Sequence, residues 1–175
     1  ASHAYRSISN DPMWVGYFKQ AGIEQTPENG FGATPLTKYR RHVLMLHPHT
    51  VIVYDELEAS EAVRWEWLLH SPTEFKMDAT KKTLSTNKTK GWVAVTQLFG
   101  GHVFTLSQTD RFVVPPAITG AEYPNQWHLT ARVDGCSATR FLAIIQVGDE
   151  AVSIINRDGD TFNVGDWTIK AILDA

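Results

Sequence analysis

The sequence predicts an all-β fold, a two-layer antiparallel β-sandwich of about ten strands. Three observations carry this. Apolar and polar residues alternate with a period of two through most of the chain after Tyr39. Turn signals recur roughly every 8–12 residues, the spacing of sandwich strands. No segment sustains a 3.6-residue period beyond about two helical turns. The 175 residues fit one domain, and a chain of that size buries roughly 70% of its unfolded surface without disulfide support.

The elements follow in order. Residues 1–38 are a loop-rich lead-in, punctuated by Asp11-Pro12, Thr26-Pro27, Asn29-Gly30 and Thr34-Pro35. A short strand is expected inside it at Trp14–Phe18. Tyr39–Leu46 and Val51–Tyr54 flank His47-Pro48-His49 and predict a hairpin. In Ala62–His70, Val63, Trp65, Trp67 and Leu69 fall on one face, and Arg64, Glu66 and His70 on the other. Trp92–Phe99 follows the polar stretch Lys81–Lys90. Gly100-Gly101 turns the chain into His102–Leu106. Trp127–Val133 is expected to turn at Asp134-Gly135 and return as Arg140–Val147. That last run is apolar almost throughout, as a central strand covered on both faces requires. Ala151–Ile155, Thr161–Val164 and Trp167–Leu173 close the chain, separated by Gly-Asp and Asp-Gly turns. The longest unpatterned insertion of the second half runs from Val114 to Asn125.

Composition excludes several classes. One cysteine, Cys136, forbids an internal disulfide and any multi-cysteine zinc or iron–sulfur site. Sixteen Lys+Arg against nineteen Asp+Glu give a net charge of −3 with no basic block, which argues against a nucleic-acid partner. No apolar run approaches the roughly 20 residues of a membrane-spanning helix. Residue 1 is Ala rather than Met, so the 1–175 sandwich is expected to be a fragment of a longer chain.

No nucleophile elbow, P-loop, dinucleotide fingerprint or H-E-x-x-H motif occurs. His42, His47 and His49 lie close in sequence. His47 and His49 read as exposed turn residues, and His42 as a hydrogen-bonded strand residue. Asp55 ends the VIVY run and reads as an acceptor of backbone N–H groups in a turn. His70 ends its strand opposite the Trp65 and Trp67 face, where an imidazole can meet a sugar or a carboxylate. Trp65 and Trp67 read as core. Trp14 and Trp127, near loops or strand ends, are better placed as sugar platforms. Cys136 lacks the electropositive surroundings of a reactive thiol. The sequon at Asn87-Lys88-Thr89 carries little weight without a known host.

The stretch YRRHVLMLHPHTVIVYDELEASEAVRWEWLLHS, Tyr39–Ser71, resembles the C-terminal β-sandwich region of heparinase II/III-like polysaccharide lyases. An Arg-led apolar strand, a strand ending in Tyr54-Asp55, and Trp67-Leu68-Leu69-His70-Ser71 carry the likeness. SNDPMWVGYFKQ upstream and RFLAIIQV and NVGDWTIK downstream extend it to most of the chain. The resemblance implies a parent enzyme that cleaves uronic-acid-containing acidic polysaccharides by β-elimination, in the periplasm or outside the cell. In that reaction a base removes the proton at C5 and a Tyr or His protonates the leaving oxygen. It implies an N-terminal α/α-toroid in the same parent chain that supplies most of this machinery, with a zinc or calcium ion held in the parent.

On the motif positions of that family, no catalytic and no metal residue carries over to this chain, and no cofactor is expected in it. β-Elimination needs base, acid and charge neutralisation assembled together, so the chain alone is expected to be inactive. Its expected role is to brace the toroid and line the glycan cleft. The alternatives are a stand-alone carbohydrate-binding module and a purely structural domain. An acidic glycan attracts cations, so Arg40, His42 and Arg64, with His70, Trp14 and Trp127, are the glycan-contact candidates. If Tyr39–Leu46 and Ala62–His70 are neighbouring strands, Arg64 shares a face with Arg40 and His42.

Overall fold

Two strands of 22 residues each organise the molecule. The computed structural model describes residues 10–29, 31, 32, 34–78, 83–86, 93–111, 125–148 and 155–174. They form α1 (Pro12–Gln20), β1 (Leu36–Leu46), β2 (Thr50–Ser71), β3 (Lys76–Asp78), β4 (Thr83–Ser85), β5 (Val93–Gly100), β6 (Thr105–Thr109), β7 (Trp127–Gly148), β8 (Ile155–Asp158), β9 (Thr161–Val164) and β10 (Trp167–Lys170). A seven-stranded antiparallel sheet runs β1-β2-β7-β5-β4-β3, with β6 also paired to β7, and β10-β9-β8 form a second sheet. The architecture is the expected all-β sandwich.

The long strands β2 and β7 pair along nearly their whole length, with two irregularities. Between Glu58↔Ala138 and Val63↔Cys136, β2 carries more residues than β7. Between Val63↔Cys136 and Trp65↔Val133, β7 carries the extra residue. Gly135 sits in that second bulge at φ +69°, a left-handed conformation that glycine adopts without a Cβ penalty. Asp134-Gly135 therefore bulges a continuous strand, and the turn expected there does not form. Likewise Val51–Tyr54 and Ala62–His70 are two ends of one strand.

The two ends of the large sheet contribute to one core. Leu57 and Phe141 from one end share a core with Trp65, Trp67, Leu129, Ala131 and Val133 from the other. A second core lies between the opposite face of β7 and the small sheet. It joins Leu46, Ile52, Leu142 and Ile144 to Phe162, Val164, Ala171 and Leu173. Phe141–Ile144 are fully buried, with alternate residues in the two cores. This is the central strand that the RFLAIIQV run predicts. The chain after β10 is strapped down: the Ala171 N–H donates to Asp160 O, and the Tyr54 hydroxyl to Ile172 O at 2.6 Å.

The expected hairpin is present. β1 and β2 pair from Leu46↔Thr50 outward, with residues 47–49 in the turn. The strand expected at Trp14–Phe18 is instead α1. Asp11 is its N-cap, its side chain accepting from the Met13 N–H at 2.8 Å, and Pro12 opens the first turn. Proline is suited to that place, where its missing N–H costs nothing. β3 and β4 are short additions that the alternation pattern does not show. Trp92, the sequon at 87–89, most of the 114–125 insertion, Asp149 and residues 151–154 lie outside the described residues.

Candidate functional site

The densest set of charges lies across β1, β2 and β7. Direct cross-strand partners place Lys38 beside Glu58, Arg40 beside Glu56, and Glu56 beside Arg140. On this shared face Lys38 Nζ bridges Glu56 Oε2 at 2.7 Å and Glu58 Oε1 at 3.0 Å. His42 Nε2 lies 2.9 Å from Glu56 Oε1, and Arg40 Nη1 3.7 Å from the same oxygen. Arg140 Nη2 reaches Glu58 Oε1 at 3.1 Å, while its Nη1 donates to the carbonyls of Leu57 and Thr139. Hydrogen bonds from Lys38 and His42 hold the Glu56 carboxyl down at about 2, and the Lys38 ammonium is raised in return. Three cations face two carboxylates, leaving one positive charge when His42 is neutral. Arg40 is the least engaged of the three and is 63% exposed.

Tyr54 borders this ladder, its ring 5.8 Å from that of His42. Its hydroxyl is committed to Ile172 O, and burial raises its pKa. On the opposite face Asp55 is buried and receives two hydrogen bonds from Arg41, Nε to Oδ1 at 2.7 Å and Nη2 to Oδ2 at 2.8 Å. Asp55 thus stands mid-strand in a bidentate ion pair, and the backbone-capping role expected for it at a strand end is not the one it plays. The Arg41 guanidinium lies 5.7 Å from the Tyr39 ring centroid.

The six glycan-contact candidates fall into separate places. Arg40 and His42 belong to the ladder. Arg64 does not join them, because β1 pairs with the Thr50–Ala59 end of β2, whereas among the described residues the Val63–Ser71 end pairs with β7 alone. Glu56 and Arg64 are eight residues apart in β2, about 26 Å along a fully extended strand at about 3.3 Å per residue. Arg64 Nε instead lies 3.5 Å from Asp134 Oδ1, which Arg132 Nε also reaches at 2.8 Å. His70 lies beside its cross-strand partner His128, ring centroids 4.4 Å apart and planes tilted by 47°. Trp127 is half-buried against the first core. Trp14 projects from α1, meeting Tyr17 edge-on at 75°. Sequence reasoning did not find the roles of Lys38, Glu56, Glu58 and Arg140. The alternation of charges in Lys38-Tyr39-Arg40 against Glu56-Leu57-Glu58 was the available signal.

Among the described residues no group of three or more His, Cys, Asp or Glu side chains is placed to hold a metal ion. A zinc or calcium ion of the kind the resemblance implies for the parent finds no donor set there. The Cys136 thiol is raised by burial, consistent with an inert side chain. A cavity of about 230 Å³ opens beside His70, lined by Leu69, Ser71, Thr73, Phe75 and Thr96. The Ser71 hydroxyl is already used by Thr73.

No protein-family model and no curated protein matches the chain. Solved structures do. A heparinase III gene product superposes with a TM-score of 0.60 at 13% identity, over 98% of this chain and 34% of that protein. The heparan sulfate lyase HepC from Pedobacter heparinus superposes at 0.54 and 14% identity, over 97% of this chain and 33% of its own. The chain has the fold of one third of a heparinase III. The heparinase-like sandwich thus accounts for nearly every residue here and for about a third of the length of the proteins it matches. No helix among its described residues is long and apolar enough to cross a membrane.

Proposed function

We propose that this chain is the C-terminal β-sandwich of a larger heparinase II/III-like polysaccharide lyase. The parent cleaves uronic-acid-containing acidic polysaccharide by β-elimination in the periplasm or outside the cell. The sandwich braces the N-terminal α/α-toroid and walls one side of the glycan cleft. The observation that carries this reading is the coverage: the fold match takes in 98% of this chain and a third of the matched heparinase.

The chain's own groups suit a wall better than a catalyst. Tyr54 spends its proton on a backbone carbonyl, and the imidazole of His42 is held by Glu56. A bracing domain also needs apolar surface to bury. Near the hairpin end of edge strand β1, Val43, Leu44 and Met45 are 66%, 48% and 59% exposed, Val43 and Met45 on one face and Leu44 on the other, which leaves apolar surface for a neighbour to bury. A stand-alone binding module instead needs coplanar exposed rings. The exposed Trp14 and Tyr17 meet edge-on, and Tyr39 has the Arg41 guanidinium near its ring.

The test is an ultraviolet assay for the unsaturated uronate product, with heparan sulfate and other uronic-acid polysaccharides. The full-length gene product should release it and the 175-residue chain should not. Turnover by the 175-residue chain alone refutes the reading, and so does a full-length product inert on every acidic glycan. A saturable tryptophan-fluorescence response of the isolated chain to these glycans, with no activity in the full-length product, favours the binding module.

A further inference from the structure

We propose that His70 and His128 form a two-imidazole site for a divalent late-transition cation of the zinc class. The two stand directly opposite each other on β2 and β7, one pair before the ladder ends at Ser71↔Trp127. Directly opposed residues of an antiparallel pair share a face, with Cβ atoms about 4.5–5.5 Å apart. The ring centroids here are 4.4 Å apart and the planes are tilted by 47°. Two nitrogens bound at about 2.0–2.1 Å to one tetrahedral ion lie about 3.3 Å from each other. Ring nitrogens sit off the centroid and χ2 of histidine is a broad torsion, so rotation of rings this close brings one nitrogen of each to that separation. Imidazole is a ligand for zinc, copper and nickel, whereas calcium and magnesium take oxygen.

The fold prepares the pair. β2 and β7 stay in register from Trp65↔Val133 to Ser71↔Trp127, so both imidazoles are carried on paired strands before an ion arrives and little further order is lost on binding. His70 is exposed and His128 half-buried, which leaves an approach for a hydrated ion. A neutral imidazole ligates through one nitrogen and keeps a hydrogen bond on the other. The described neighbours on this face carry no net charge. The next row is Leu68↔Thr130, and Thr109 stands beside His128 on β6. Glu66 and Arg132, an opposed pair of opposite sign, lie four residues further along β2 and β7, about 13 Å at about 3.3 Å per residue. Asp110 and Arg111 also balance. Like charges directly opposite each other destabilise a sheet, so protonation works against this pair, while a shared ion draws the two rings together. Among the described residues no third His, Cys, Asp or Glu joins them. The remaining positions therefore go to water or an incoming carboxylate, as in an open site and unlike a closed structural zinc.

The test is isothermal titration of the full-length gene product and of this chain, both stripped of metal, with zinc chloride. His70→Ala and His70→Gln should each remove one bound ion or weaken its binding at least about tenfold, the smaller of the losses seen when a mere outer-shell partner is removed. Ring-nitrogen magnetic resonance of the isotope-labelled chain needs no variant. Added Zn²⁺ should move one nitrogen signal of His70 and one of His128 together, ahead of those of His47 and His49, and Ca²⁺ should move neither. Saturating Zn²⁺ should raise the urea midpoint of the unsubstituted chain, because an ion held by the native state alone stabilises it, and should leave that of His70→Ala in place. Zn²⁺ stoichiometry unchanged and affinity within about threefold in both His70 variants overturns the inference. So does a zinc-dependent shift of the His47 and His49 signals with those of His70 and His128 unmoved. Turnover enters none of these readouts, so the inference stands or falls apart from the proposed lyase role.

Discussion

Removing the Arg41 guanidinium should destabilise the sandwich far more than removing any other cation on its surface. Asp55 has a side chain only 2% exposed, and Arg41 satisfies both of its oxygens, at 2.7 and 2.8 Å. Stripping the partner from a buried ion pair costs about 3–5 kcal/mol, because the remaining charge keeps its desolvation penalty. Arg41 is itself 46% exposed, so water can enter the space that Arg41→Ala opens, and the expected cost is nearer 2–4 kcal/mol. With a urea slope of about 2 kcal/mol per molar, the midpoint should fall by roughly 1–2 M. The comparison is Arg64→Ala. Its partner Asp134 is 55% exposed, and exposed pairs are worth about 0–1 kcal/mol. Adding Asp55→Asn to Arg41→Met should recover part of the loss, since no charge is then left buried. The assay is urea unfolding followed by tryptophan fluorescence. A midpoint for Arg41→Ala within about 0.3 M of the parent, or a double variant no more stable than the single one, would refute this account of Asp55.

Three further outcomes are expected. The Glu56 carboxyl is held at about 2 against an ordinary 4.5, so between these values the native state binds fewer protons than the unfolded chain. Its contribution is complete above pH 4.5 and is lost as the pH falls towards 2; Glu56→Gln should flatten the stability–pH curve in that window, measured by urea melts at stepped pH. A Cβ on Gly101 would sit 2.0 Å from the Leu173 carbonyl oxygen, so Gly101→Ala must push the C-terminal strap off the second core, costing about 1–3 kcal/mol; thermal unfolding should fall by several degrees, and an unchanged midpoint would contradict the close approach. The Trp65 indole N–H donates to Cys136 O at 3.0 Å, whereas that of Trp67, though buried, has no partner among the described residues. Phe at 65 should therefore cost about 1–2 kcal/mol more than Phe at 67, the cavity terms being alike.

Period-two patterning was enough to find the hairpin at His47–His49, the buried Trp65 and Trp67, and the doubly covered strand after Arg140. In each the apolar spacing is local, and burial follows from it. It failed where the same dipeptide serves two geometries. Asp134-Gly135 can close a hairpin or bulge a strand, and only the pairing of Val63 with Cys136 across β2 decides which. The strand total survived because errors offset each other: two pairs of runs fused into β2 and β7, one became α1, and β3 and β4 were added. Asp11-Pro12 was visible as punctuation, yet the same residues cap a helix. For the surface charges, residue types were legible and partners were not. Arg64 meets Asp134 rather than Arg40 because β2 carries surplus residues between Glu58 and Val63, beyond the reach of β1.

Those partners decide how this surface can meet an acidic glycan. Lys38 is held by two carboxylates, Arg140 by Glu58 and two carbonyls, and Arg64 shares Asp134 with Arg132. A sulfate or uronate approaching the ladder must therefore displace Glu56 or Glu58, or be content with Arg40. Displacing Glu56 exchanges one carboxylate for another at the same cations, so the net electrostatic gain is small and is screened further at physiological salt. A ladder with one surplus charge can border a polyanion without gripping it. Under the proposed lyase reading, strong retention of the glycan and neutralisation of its uronate would then fall to groups outside this sandwich. By the same reasoning, Arg40→Ala should weaken glycan binding by the full-length protein only slightly. Glu56→Gln, which frees Lys38 and His42, should strengthen it at low ionic strength and lose the advantage as salt is raised.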